Sequence, residues 1–340
     1  MTLQEVASEA GVSIATVSRM LNNLSVRPDS RKKIEDALAR LDPTGALVTR
    51  GPNSKQSKAI GVLNPSISNS YFMEIDEAIE HRLSEEGFMM FLCSTGDNYS
   101  HERKRLNDML SRKVDGIIII DPYNENYTSG FLQSIARKLP LALVHSNESI
   151  HDLNSVIIDQ ALAMLKVMEM LWGLGHRDIA FLRASAGYSY DIKQRVWEDY
   201  LRRNGIAAKP GRIINVDGER RSFEEVLRSA EEKIFSALSE EGHPTAIFAC
   251  NDTMALGSLH ATQRLGIRVP EDVSIVGYDN TFLAIGAGTP ITSVDMKMNS
   301  LGNAAVDLLF HAMNGRDPEP RRILIKPELI LRASTGIAKR

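Results

Sequence analysis

The chain has 340 residues, 43% of them hydrophobic and 24% charged, with a formal net charge of −3. That length exceeds one simple core and predicts two or three structural units of ordinary globular composition. No apolar run is long enough to span a bilayer and no basic-then-apolar leader opens the chain, so residence in the cytoplasm is expected.

The first helix is predicted to begin at Leu3, because Thr2 and Glu5 stand at capping-box spacing and Val6, Ala7 and Ala10 share one face. Gly11 can take the left-handed conformation that ends it. Ser13 then caps a second helix in which Val17 and Leu21 repeat at i, i+4. Ile14, Ala15, Ser18, Arg19 and Asn22 cannot all share that stripe, so some of them face outward. Two short helices about a tight glycine turn form a helix-turn-helix, a unit that places its second helix in the major groove of DNA. A third helix is predicted over Pro28–Leu41, with Ile34, Leu38 and Leu41 facing the first two. Residues 1–58 hold nine Lys/Arg against six Asp/Glu, net +3, and the remainder 31 against 37, net −6. A basic head on an acidic body fits phosphate binding at one end.

Residues 42–58 read as a linker rich in Pro, Gly and Ser. From Ile60 onward short apolar runs alternate with amphipathic helices. The runs are 60–63, 88–93, 114–120, 141–144, 179–182, 213–214, 246–250 and 273–278. Each is followed by helical spacing, which argues buried parallel strands in βα units. Cys93 and Cys250, far apart and set in apolar runs, are expected to be buried free thiols. There is no phosphate-cradling Gly-x-x-x-x-Gly-Lys loop, no His-Glu-x-x-His, no Gly-x-Ser-x-Gly and no Cys/His cluster with metal spacing. No catalytic residue, metal or cofactor is therefore assigned, and the chain is not expected to be an enzyme.

The stretch Ala10-Gly-Val-Ser-Ile-Ala-Thr-Val-Ser-Arg-Met-Leu-Asn22 closely resembles the headpiece of the lactose-repressor (LacI/GalR) family of bacterial transcription regulators. The resemblance continues through Asn69-Ser-Tyr-Phe72, Val114-Asp-Gly116, Gly175–Ala180, Ala249–Gly257, Ile267–Asn280 and Pro290–Val294, nearly the whole chain. It implies an N-terminal all-α helix-turn-helix headpiece followed by an α/β periplasmic-binding-protein-like effector domain of two doubly wound parallel-sheet subdomains. The expected divisions are 1–45 for the headpiece, 46–59 for a hinge, and 60–340 for effector binding and dimerisation. Within the last, subdomain one would comprise about 60–159 plus 291–322, and subdomain two about 160–290 plus 323–340. The implied function is a ligand-responsive regulator, a repressor by family default, that binds a pseudo-palindromic operator as a homodimer. A dimer is expected over a tetramer because no heptad-bearing extension precedes Arg340, and pairing would run along subdomain one. The alternative is a sugar-binding receptor without working DNA binding.

The resemblance also distributes roles. Ile14 and Ala15 occupy the positions that set operator preference, and being apolar they suit thymine methyls or close backbone approach. Arg19 suits either a guanine edge or a phosphate, while Ser13, Thr16, Ser18, Asn22, Ser30 and Arg31 would anchor phosphates. At the hinge, Arg50 matches a family arginine, but Gly51 and Pro52 stand where a helix former and a minor-groove leucine are usual. Either Leu47 or Val48 supplies the wedge, or this chain bends DNA less. The effector, a sugar or sugar derivative by family precedent, is expected in the cleft between subdomains. Tyr71 and Phe72 would stack on it or fill the helix–strand interface. His145 stands where relatives often carry Asp, and Lys193 where they carry an effector-gripping Arg, a role Arg195 could take instead. Asp217, Asn251 and Asp279 complete the expected contacts, Asp279 being alternatively a turn residue after Gly277-Tyr278. His145 with Lys193 hints at an anionic ligand.

Overall fold

The computed structural model describes residues 3–21, 24–41, 57–96, 98–145, 147, 149–184, 187–217, 222–315 and 319–339. The chain divides into two compact units, Met1–Ser57 and Lys58–Arg340. The expected cap Thr2, the groove residue Asn22 and the whole hinge stretch 42–56, with Leu47, Val48, Arg50, Gly51 and Pro52, lie outside the described residues.

The smaller unit has three helices: α1 (Leu3–Ala10), α2 (Ile14–Leu21) and α3 (Pro28–Leu41). Their shared core is Val6, Ala7, Ala10, Val17, Ile34 and Ala37. Alanines at three of those positions let short helices approach closely enough to bury a core this small. Gly11 turns the chain at φ +63°, where an L side chain would be strained. The Ser13 hydroxyl accepts from the Thr16 amide at 3.2 Å, which caps α2. The expected stripe on α3 is shifted, since Leu41 is 39% exposed and Ala37 is buried in its place.

The larger unit runs β1 (Ala59–Asn64), α4 (Ser70–Glu85), β2 (Met89–Ser94), α5 (Tyr99–Ser111), β3 (Gly116–Ile120), α6 (Asn124–Thr128), α7 (Phe131–Ala136), β4 (Leu141–His145) and β5 (Ser155–Ile158). It continues with α8 (Gln160–Gly173), β6 (Ile179–Ala184), α9 (Tyr188–Arg203), β7 (Ile213–Val216), α10 (Phe223–Leu238), β8 (Ala246–Ala249), α11 (Asp252–Leu265) and β9 (Ser274–Val276). Last come α12 (Phe282–Gly286), β10 (Ser293–Asp295), α13 (Met298–Met313), β11 (Arg322–Ile325) and β12 (Glu328–Ile330).

Two parallel sheets result, of order β11-β5-β4-β3-β1-β2 and β7-β6-β8-β9. A third, two-stranded antiparallel sheet joins β10 to β12. The central strands β3 and β4 are buried at every position, as helices on both faces of a parallel sheet require. Glycine lets those helices seat. A Cβ on Gly302 of α13 would lie 2.8 Å from the Ile75 carbonyl of α4, and one on Gly257 of α11 would lie 2.7 Å from the Leu227 carbonyl of α10.

The chain crosses between the two large sheets three times: from β5 into α8, back from β9 through β10 to α13, and from β11 through β12 to the tail. The tail is tied to the second sheet, Ile275 N donating to Ser334 O at 2.8 Å and Ala338 N to Leu174 O at 2.8 Å. The third crossing falls later than the expected division at 322/323, because β11 keeps pairing with β5 to Ile325. Cys250 is buried and Cys93 half-buried, both as free thiols.

Candidate functional site

Of the eight residues of α2 only Val17 is fully buried, with Met20 and Leu21 half-buried against the same core, so the helix offers its opposite face outward. Ile14 is 47% exposed, and Ala15 and Arg19 are exposed beside the half-buried Thr16 and Ser18. That is one continuous face of apolar, hydroxyl and guanidinium groups, the mixture that base edges and phosphates require. Ser13 is exposed, but its hydroxyl is engaged with the Thr16 amide and, at 2.8 Å, the Thr16 hydroxyl. On α3, Ser30 is half-buried, and the exposed Arg31 forms a loose ion pair with Glu35 at 3.9 Å. Both lie in the first turn, where backbone N–H groups also favour anions.

The larger unit holds a cavity of about 510 Å³ between the carboxyl ends of its two parallel sheets, where such folds place ligands. The first sheet contributes the segment after β1 with Pro65, Ser66, Asn69, Tyr71 and Phe72, the end of β3 with Asp121, and the end of β4 with His145. The second contributes the start of α9 with Tyr188, Tyr190 and Lys193, the end of β8 with Asn251, and Asp279 after β9. Gln160 and Met296 lie at crossings.

Six of the seven expected effector residues thus meet around one space: Tyr71, Phe72, His145, Lys193, Asn251 and Asp279. Asp217 does not. It follows β7, the edge strand of its sheet, and is exposed, with its carboxylate 3.6 Å from Lys233 Nζ and its amide donating to Ser229 Oγ at 2.9 Å.

Each of the six is held by its own local structure. Asn69 caps α4 through the Tyr71 amide at 3.0 Å, fixing Tyr71 and Phe72 edge to face with centroids 5.2 Å apart. Burial, reinforced by the charges of Asp279 and Asp121, pushes the Tyr71 hydroxyl far above its ordinary value, so it stays a donor. Asn251 Oδ1 accepts from Met254 N at 2.8 Å as the cap of α11, which leaves its Nδ2 donor for the cavity. Lys193 is buried. Its ammonium donates to the Cys250 carbonyl at 3.2 Å and sits 3.7 Å over the Tyr278 ring, a contact that offsets part of its desolvation. The Tyr278 hydroxyl in turn donates to Gln160 Oε1 at 2.5 Å.

His145 is 6% exposed, and neither ring nitrogen has a hydrogen-bond partner among the described residues. Burial, helped by the Arg322 charge, lowers its pKa to about 4, so at neutral pH it is an uncharged imidazole with one donor and one acceptor. The lining therefore carries Lys193 against Asp121, Asp279 and the exposed Glu125. The anionic hint drawn from His145 and Lys193 loses its basis, since the imidazole is neutral and carboxylates outnumber the ammonium. This arrangement suits an uncharged ligand with many hydroxyls.

Asp279 is also part of the crossing. Its backbone is at φ +101°, its amide donates to Val294 O at 3.0 Å, and it bridges Asp295 at the end of β10. The buried Asp252, next to Asn251, accepts from the Thr281 amide and hydroxyl at 2.7 and 3.0 Å and from the Ser293 hydroxyl at 2.6 Å. Burial pushes this carboxyl up to about 6 against those donors. The cavity wall and the second crossing are thus one hydrogen-bonded piece.

Sequence reasoning missed Asp121, Gln160, Tyr188, Tyr190 and Tyr278. Asp121 ends an apolar run just as Asp279 does, so the same strand-end argument reaches it. Gln160 follows β5, a strand absent from the expected runs. Among the described residues no group of three or more His, Cys, Asp or Glu is placed to hold a metal ion, and no helix is long and apolar enough to cross a membrane.

Comparison with known proteins bears on both sites. Residues 2–42 match the bacterial regulatory proteins of the lacI family, and residues 168–335 the periplasmic binding protein-like domain. The chain is 32% identical to catabolite control protein A of Priestia megaterium, over 98% of this chain and 99% of that one. It is also 32% identical to the transcriptional repressor PurR of Pasteurella multocida (strain Pm70), over 98% of both. The solved lac repressor dimer bound to operator and the anti-inducer ONPF is 28% identical, covers 99% of each chain and superposes with a TM-score of 0.83.

Proposed function

The chain belongs to the lacI family of bacterial regulatory proteins, and on that premise we propose that it represses transcription from a pseudo-palindromic operator as a homodimer controlled by a small sugar-like effector. It is a DNA-binding transcription regulator and not an enzyme, and it acts in the cytoplasm. The observation that carries the reading is the meeting of Tyr71, Phe72, His145, Lys193, Asn251 and Asp279 around one cavity, in a chain whose separate headpiece turns Ile14, Ala15 and Arg19 outward. Ser13, Thr16, Ser18, Asn22, Ser30 and Arg31 hold phosphates in this reading, and residues 46–59 form the hinge, from which Arg50 contacts DNA. Subdomain one, about 60–159 plus 291–325, carries the dimer contact, which the exposed Met73, Met89, Phe91 and Leu92 of α4 and β2 suit. The effector acts by preferring one relative setting of the two sheets, because a ligand shifts only an equilibrium between states it distinguishes.

The test is fluorescence anisotropy of the full chain on DNA from upstream of its own gene, against scrambled DNA of equal length, over a salt series. Sequence-selective binding that weakens steeply with salt is expected, and Arg19→Ala should abolish the preference for the upstream fragment. Binding that never discriminates between the two DNAs overturns the repressor reading and leaves a metabolite receptor.

A further inference from the structure

One buried polar pair stands beside the cavity but takes no part in lining it. Asn64 ends β1, immediately before Pro65 and Ser66 of the cavity wall, and Asp76 lies on α4, just over one turn past Tyr71 and Phe72. Asn64 is fully buried and Asp76 is 5% exposed. Asn64 Nδ2 donates to Asp76 Oδ2 at 2.5 Å, and the two remaining oxygens, Asn64 Oδ1 and Asp76 Oδ1, are buried with no hydrogen-bond partner among the described residues. An ionised carboxylate cannot repair this, because both orphaned atoms would then be acceptors only. One proton repairs both, since a protonated Oδ1 donates to the amide oxygen while Oδ2 goes on accepting from the amide nitrogen.

We propose that Asp76 carries a proton in the folded protein near neutral pH and pairs with Asn64 as acid with amide, a proton-dependent latch between β1 and α4. The electrostatics agree. Burial is the larger influence and raises the Asp76 carboxyl to about 7, and the Asn64 bond opposes it. The titratable groups on the elements packed against α4 are Asp307 and His311 of α13 and Cys93 of β2, and β1 has none. On α4 itself Tyr71, Glu74, Glu77, Glu80, His81, Arg82 and Glu85 accompany it. None of these contributes a charge effect at Asp76, and Arg82 is engaged with Glu85, Glu86 and Asp307. The Asn64 carbonyl also takes the Thr95 amide at 2.8 Å. Loss of the proton therefore strikes the joint of β1, β2 and α4 from which Ser66, Tyr71 and Phe72 reach the cavity. That last link rests on the ligand reading of the cavity; the protonation itself does not.

Asp76→Asn tests it without any ligand, because an amide facing Asn64 makes both hydrogen bonds with no proton to lose. A carboxyl raised in the fold holds a proton the unfolded chain has released, so wild-type stability falls as pH rises from 3.8 towards about 7. The folding constants of D76N and wild type should accordingly part in favour of D76N, by up to about tenfold per pH unit across that window, and stay level above it. D76N less stable than wild type at the alkaline end, or a difference that ignores pH, overturns the latch. A second measurement assigns the proton. In Asp-labelled wild type, 13C carboxyl signals should include one that ionises only near pH 7 and is missing from D76N, which separates it from the raised Asp252; a D76N spectrum that loses only a signal ionising below about pH 5, close to the ordinary carboxyl range, overturns it equally.

Discussion

A buried imidazole with two idle nitrogens is a poor structural choice. A buried polar group left without a partner costs about 1–3 kcal/mol, and His145 offers two such atoms at the end of a strand buried throughout. The residue makes sense if its partners arrive with a ligand that both donates and accepts, as a hydroxyl does. His145→Leu, close in volume and without polar atoms, should then raise the melting temperature of the ligand-free protein, by the equivalent of about 1–2 kcal/mol. The same variant should lose most of the added stability that the cognate ligand confers on wild type. A lower melting temperature without ligand would assign His145 a structural role. Asp217 teaches the converse. It was placed among the contacts by resemblance alone, and its position after an edge strand, in an ion pair with Lys233, gives it no view of the cavity.

At the scale of elements, legibility followed the range of the forces involved. The three headpiece helices have the bounds read from Glu5, Gly11, Ser13 and Pro28, because caps and turns act within a few residues. The strands were visible as unbroken apolar runs, down to Ile117–Ile120 in β3, but the expected burial fails for β2, an edge strand in which Met89, Phe91 and Leu92 are exposed. Ser155–Ile158 escaped, being four residues between polar neighbours and too short for a pattern to stand out. The crossings were legible only by resemblance, since Asp252 reaches Thr281 and Ser293 across 29 and 41 residues and no local spacing encodes that. Gly302 was likewise silent, though it decides how α13 seats on α4. Gly302→Ala would bring a methyl to 2.7 Å from Ala78 Cβ and 2.8 Å from a backbone carbonyl. Overpacking of that kind costs about 1–3 kcal/mol, which should outweigh the helix-propensity gain of alanine. Urea unfolding should place its midpoint below wild type, and an unchanged midpoint would mean that α4 and α13 slide apart freely.

For the larger unit as a whole, buried titratable groups pull against one another. Asp76 and Asp252, raised from 3.8 to about 7 and about 6, hold protons in the fold that the unfolded chain has released, so each lowers stability as pH rises through that interval. His145, lowered from 6.5 to about 4, does the opposite, because the unfolded chain is protonated where the fold is not, and stability grows as pH rises to 6.5. His176 is also lowered, mainly by burial, where its ring bonds to Thr245 and Ser274, and so it has the same sign as His145. Within these four, the two carboxyls and the two imidazoles act on stability with opposite signs. Removing one member should tilt the profile, and the direction identifies the member. Relative to wild type, His145→Leu should give a stability that falls with pH, by up to about 1.4 kcal/mol per unit, and Asp76→Asn one that rises by a similar amount. Denaturant unfolding at fixed temperature from about pH 4.5 to 6 reads the slopes directly. Two variants tilting the same way relative to wild type would refute the opposed signs of His145 and Asp76.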